Sequence, residues 1–99
     1  MSIDTPIIPI VSPDPDDMRP VAIYVHGLAS GAAGTTFNSL ARKFKHYRWI
    51  TTDFGENIEN NVAMLEYMVD MHHASLILGT SMGGVTTLYA DAPDAVKIV

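Results

Sequence analysis

Three apolar residues, Leu76-Ile77-Leu78, run without a break into Gly79-Thr80-Ser81-Met82-Gly83-Gly84, and a helical segment follows. A chain passes from strand to helix over so few residues only through a cramped turn. Side chains two positions to either side of Ser81 would collide with the neighbouring strand and helix, so Gly79 and Gly83 are demanded by space. Such a turn lifts the Ser81 hydroxyl above the sheet edge. It also sets that hydroxyl at a helix N-terminus, where backbone N–H groups and the dipole favour developing negative charge.

The spacing is G-x-S-x-G, the pattern of a nucleophile elbow. The same five positions also arise by chance in glycine-rich turns with an ordinary serine. What gives the pattern weight is its setting, with an apolar strand before it and a helix after it.

The rest of the chain keeps that alternation. Val21 to Val25 is a continuous apolar run, the mark of a strand buried on both faces. Phe37, Leu40, Ala41 and Phe44 then fall at helical spacing, with Thr35 or Thr36 as N-cap. Tyr47 to Thr52 reads as a second strand. A turn at Asp53-Phe54-Gly55 precedes a helix from about Asn57 to Met71, with Ile58, Val62, Leu65 and Val69 on one face. After the serine turn a short helix is expected from Val85 to about Asp91, then a strand over Ala95 to Val99. Strands alternating with helices imply parallel strands joined by crossovers. The expected fold class is α/β, a three-layer α/β/α arrangement on a mostly parallel sheet, occupying residues 20–99. Residues 1–19 stand apart as an irregular or edge-strand segment, in which Ile7 to Val11 is apolar and four prolines lie between Pro6 and Pro15.

Composition narrows the chemistry. There is no cysteine, which excludes disulfides, thiolate catalysis and Cys-based zinc sites. A formal net charge of −5 argues against nucleic acid, whose binding rests on cations at phosphates. The basic cluster Arg42, Lys43, Lys45 and Arg48 reads as the solvated end of a helix, where cations suit the dipole. No apolar run approaches the roughly 20 residues of a bilayer span. No basic leader precedes an apolar core, so the expectation is a cytoplasmic protein without a membrane partner.

A second loop follows a strand directly: Val25-His26-Gly27-Leu28-Ala29-Ser30-Gly31. In a serine hydrolase this loop gives one N–H to the oxyanion hole, and the residue after the nucleophile gives the other. Those donors are assigned here to Leu28, with Ala29 as the neighbouring alternative, and to Met82. His26 has two readings. It could serve as general base to Ser81, or, more commonly for a histidine so placed, brace the loop by hydrogen bonding. The glycines Gly27, Gly31 and Gly34 fit neither the dinucleotide fingerprint nor the phosphate loop. His72 and His73 are adjacent, whereas helical metal pairs lie three or four apart, so they read as a helix end. Met64, Met68 and Met71 read as packing. No cofactor or metal is called for.

Together, His26-Gly27-Leu28-Ala29-Ser30, Thr51-Thr52-Asp53-Phe54 and Leu78-Gly79-Thr80-Ser81-Met82-Gly83-Gly84 resemble the small α/β-hydrolase esterases without a large cap, closest to the YqiA-like predicted-esterase group. The resemblance covers about residues 20–99. It implies the α/β-hydrolase fold and a sheet with the Tyr47–Thr52 strand outermost. The strand ending at Val25, the strand ending at Gly79 and the Ala95–Val99 strand would follow in that order. It implies a serine-dependent acyl hydrolase (esterase-like) with a small-molecule ester or acyl substrate. It also implies a triad in the order Ser, Asp or Glu, His. No histidine follows Ser81 in this sequence, so the expectation is a fold incomplete at its C-terminus, with nucleophile and oxyanion hole but no triad acid or base. The alternative is a non-catalytic α/β-hydrolase-like binding or self-association module, a homo-oligomer joined through the open edge of the last strand.

Overall fold

The computed structural model describes residues 17–27 and 34–99. Four strands and three helices alternate: β1 (Val21–Val25), α1 (Thr35–Lys43), β2 (Arg48–Ile50), α2 (Ile58–His72), β3 (Leu76–Gly79), α3 (Met82–Tyr89) and β4 (Val96–Ile98). The strands form one sheet in the order β2-β1-β3-β4, parallel throughout. The fold is therefore α/β, with helices layered on a parallel sheet. The expected segment Ile7 to Val11 lies outside the described residues, as do Leu28 to Gly31 of the second loop.

β1 is the hydrophobic axis of the sheet. Every one of its residues is buried, and successive side chains point to opposite faces. Val21, Ile23 and Val25 join Ile50, Ile77, Leu65 and Met68 in one cluster. Ala22 and Tyr24 join Trp49, Leu76 and Phe37 in the other. Helix α2 thus covers the first face, with α3 packed beside it, and α1 covers the second. Each large side chain fully buried in this way contributes about 1.5–3 kcal/mol of transfer free energy.

Helix α2 closely follows its sequence signals. Asn57 caps it, its side chain accepting from the Asn60 N–H at 2.9 Å. At the other end His73 takes a left-handed conformation (φ 52°) and closes the helix. Met68 of the methionine series is buried, Met64 half-buried and Met71 exposed. His72 is half-buried in the last turn. Burial, then the nearby Arg48 charge, lowers its pKa below the ordinary value.

Other local expectations are corrected. Gly34, not Thr35 or Thr36, caps α1, in extended backbone and with no side-chain cap bond. Phe44 falls past the last turn of α1 and is 45 % exposed, outside the apolar face it was assigned to. The cation cluster is divided: Arg42 and Lys43 lie exposed in the last turn of α1, whereas Arg48 begins β2 and is half-buried. The strand expected over Tyr47 to Thr52 pairs only over Arg48–Ile50, leaving Thr51 and Thr52 buried beyond it. α3 begins at Met82 rather than Val85, because the helix starts at the residue after the serine turn. Among the described residues, no helix is long and apolar enough to cross a membrane.

The lead-in to β1 is tied down by one ion pair. Asp17 accepts from the Arg19 side chain at 2.9 Å (Nε) and 2.6 Å (Nη2), and from its backbone N–H at 3.0 Å. Arg19 also donates to the Lys45 carbonyl at 2.8 Å, joining this lead-in to the segment before β2. The Arg19 hydrogen bonds hold the Asp17 pKa at about 2, below its ordinary 3.8. With the folded value below the unfolded one, the pair's contribution is complete above pH 3.8 and disappears as pH falls through about 2. An NMR titration should place the Asp17 carboxyl midpoint near 2, and Arg19→Met should return it towards 3.8. A midpoint near 3.8 in the unaltered chain would contradict the pairing.

Candidate active site

Two strands deliver the site. β1 and β3 are paired neighbours, and Val25 lies opposite Gly79 at their C-terminal ends. The chain leaves β1 through His26-Gly27 and leaves β3 through Thr80-Ser81, so both exits emerge side by side. A Cβ placed on Gly27 would lie 3.0 Å from the Ser81 Cβ and 3.6 Å from its Oγ. Gly27 therefore lies directly against the serine. Crevices of this kind, where neighbouring strands send their connections to opposite faces, are where open α/β sheets place ligands.

The turn itself is as cramped as the glycine spacing requires. A Cβ on Gly79 would press on the Gly83 carbonyl carbon at 2.7 Å, and one on Gly83 would fall 2.8 Å from the His26 carbonyl oxygen. Real Cβ atoms do not make such contacts with backbone. The first turn of α3 is thus pressed against the ends of β1 and β3 at once. The Thr87 hydroxyl secures that approach by donating to the Gly83 carbonyl at 2.8 Å. Gly84 differs. A Cβ there would meet only ordinary contacts, 3.6 Å from the Gly79 carbonyl oxygen and 3.6 Å from the Val99 Cβ.

Ser81 sits at φ 54°, ψ −126°. That backbone conformation is sparsely populated for any residue with a side chain, and holding it costs on the order of 1–3 kcal/mol. Serine at the start of a helix usually folds its hydroxyl back onto the first-turn amides. Here it makes no such cap bond. The residue is exposed, and its hydroxyl has no hydrogen-bond partner among the described residues. Met82 is the first residue of α3. Its N–H has no partner within the helix by position, and it adjoins Ser81. The arrangement offers an accessible hydroxyl beside an amide donor at the positive end of a helix dipole. Leu28, the other assigned donor, and its alternative Ala29 lie outside the described residues.

His26 is buried and fully engaged by backbone. Its Nδ1 lies 2.8 Å from the Gly27 carbonyl oxygen and donates to it in the tautomer that carries the proton on Nδ1. That tautomer leaves Nε2 as an acceptor, and the Phe54 N–H donates to it at 3.1 Å. The Thr52 carbonyl oxygen stands 3.0 Å from the same nitrogen. A base role towards Ser81 would require one of these bonds to be given up. As placed, the imidazole ties Gly27 to Phe54 beyond β2, with the Phe54 ring edge-on to it at 5.6 Å.

Several bracing residues carried no signal in the sequence reading. Asn61, buried on α2, accepts from the Gly55 N–H at 3.0 Å and donates to the Gly55 carbonyl at 2.8 Å, fixing the turn after β2. Tyr24 and Thr80 join hydroxyls at 3.0 Å beneath the serine. A polar residue at a core position of α2, and a tyrosine inside an apolar strand, were the available hints. His72 and His73 lie in the last turn of α2 and at its cap, on the connection that precedes the N-terminal end of β3. They are therefore at the far end of the sheet from Ser81.

Replacing the glycines one at a time should separate their roles. Gly79→Ala and Gly83→Ala should each lose about 1–3 kcal/mol or more in urea unfolding. Gly84→Ala should be neutral or gain up to about 1 kcal/mol, since alanine favours helix. At the strained position, Ser81→Gly should be more stable than Ser81→Ala by about 1 kcal/mol, because glycine relieves the positive φ. The reverse order would mean that Ser81 bears no strain. No protein-family model, curated protein or solved structure matches this chain.

Proposed function

We propose that the chain carries the nucleophile of a serine-dependent acyl hydrolase, esterase-like and of the α/β-hydrolase fold, with Ser81 as the attacking residue. One observation supports this above the rest. The residue held in strained backbone, at the C-terminal edge of a parallel sheet and the N-terminus of a helix, is an exposed serine whose hydroxyl has no partner among the described residues. Strain of that kind persists where the surrounding structure over-determines it, and it concentrates at functional sites. A glycine would serve a purely structural turn at lower cost.

In this reading the Ser81 Oγ adds to the carbonyl carbon of a small ester or related acyl compound. The C–O π bond opens to an oxyanion, which the Met82 amide and the loop following Gly27 receive. Collapse of the adduct expels the alcohol with a proton, leaving acyl-Ser81, and water then releases the acid. The Ser81 proton needs an acceptor, because a serine hydroxyl is a weak nucleophile near neutral pH. His26 is committed to the backbone and serves as a brace. It makes no hydrogen bond to Ser81, and neither His46, His72 nor His73 does among the described residues.

A second reading, a non-catalytic binding or self-association module, is favoured by β4, an edge strand among the described residues whose Val96, Ile98 and the following Val99 are exposed. A fluorophosphonate probe on the full natural protein separates the two. The expected result is a single covalent adduct on the peptide bearing Ser81, abolished in Ser81→Ala. A folded protein that remains unlabelled would sink the hydrolase reading in favour of the binding module.

A further inference from the structure

We infer that Tyr24 and Thr80 form a positioning pair that sets the direction of the Ser81 hydroxyl, an inference that rests on Ser81 being the nucleophile. Ser81 has its strained backbone between two neighbours, and both must be held for the strain to persist. Met82 is held by the helix that it begins. Thr80 is held twice from β1: its N–H donates to the Val25 carbonyl at 3.1 Å, and its Oγ1 shares a hydrogen bond with the Tyr24 phenol at 3.0 Å. Tyr24 is in turn held from β2, where the Thr51 hydroxyl donates to the Tyr24 carbonyl at 2.7 Å. Tyr24 is thus held through its backbone from β2 and reaches Thr80 through its phenol, one residue short of the serine.

The length of the tyrosine fits this task. Tyr24 lies opposite Leu78 in the ladder. Thr80 is two residues further along, on the same face, at a distance of roughly 6–7 Å along the strand. A phenol reaches that far and a serine or threonine would not. Phenylalanine would fill the same buried space, where Tyr24 is 2 % exposed, without the hydroxyl. The hydroxyl's partner is the residue whose orientation fixes Ser81. Losing the bond frees the Thr80 side chain to turn, and small misplacements of a reacting group are expensive in rate.

The test is the kinetics of fluorophosphonate inactivation of the full natural protein, read as the maximal inactivation rate constant and the half-saturating probe concentration. Tyr24→Phe and Thr80→Val should each lower the rate constant about 5- to 20-fold, within the range that modest misplacement costs. The half-saturating concentration should stay within about twofold, since contacts with the probe are retained. Thr80→Ser, which keeps the hydroxyl, should recover most of the rate. The double variant Tyr24→Phe/Thr80→Val should be no slower than either single one, as expected of two groups acting through one bond. Variants that label at the unaltered rate, or single effects that multiply in the double variant, would overturn the pair while leaving Ser81 as nucleophile. A protein whose Ser81 does not label at all defeats the nucleophile itself. The holding role is then read from amide exchange at Gly83 and Gly84, whose N–H groups donate to the Thr80 and Ser81 carbonyls. Tyr24→Phe should speed their exchange about tenfold or more beyond any change in α2 amides, and equal exchange rates would overturn it.

Discussion

The crossing of α3 over the ends of β1 and β3 governs the rest of the structure. Helix and sheet usually keep a side chain's breadth between them. Here backbone meets backbone, with Gly83 against the carbonyls of Val25 and His26, and Gly79 against the Gly83 carbonyl. That proximity leaves no room for a gradual bend, so the whole change of direction falls on Thr80 and Ser81. The positive φ of Ser81 and its unused capping hydroxyl both follow from the same steric restriction. The exposed hydroxyl at this position is a consequence of packing, and needs no additional specialised residue to create it.

Around that crossing, the polar residues work as ties between strand ends. His26 joins Gly27 to Phe54, beyond β2. Asn61 pins the turn at Gly55, and Thr87 locks the first turn of α3 to itself. The His26 and Asn61 ties satisfy backbone groups of Gly27, Phe54 and Gly55 that the ladders leave open. A buried peptide group without a partner costs about 1–3 kcal/mol. These ties therefore stabilise the fold and fix the site at the same time.

Much of this was legible in the sequence, for physical reasons that differ by element. β1 and β3 declared themselves because a strand buried on both faces must be apolar throughout, and α2 because its length averages out local noise. The demand for glycine at positions 79 and 83 was readable from spacing alone, and the structure shows the contacts that impose it. The start of α3 was misplaced because Gly83 and Gly84 depress helix propensity, whereas tertiary contact holds the helix from Met82. Phe44 was misassigned because spacing cannot tell where a helix stops, and α1 ends at Lys43. The ties made by Tyr24, Asn61 and His26 link residues remote in sequence through single polar atoms, and no periodicity records them.

The ladder register bears on how the chain reaches this state. Val21 finds Arg48, and Ala22 finds Leu76. No strand pairs with a sequence neighbour through a hairpin, so each ladder requires a long loop to be closed before any cross-strand hydrogen bond offsets its entropy. Helix α2 can form early on its own, but the sheet cannot nucleate locally. The bend at Ser81 needs β1, β3 and α3 together, so it is complete only once all three are in place.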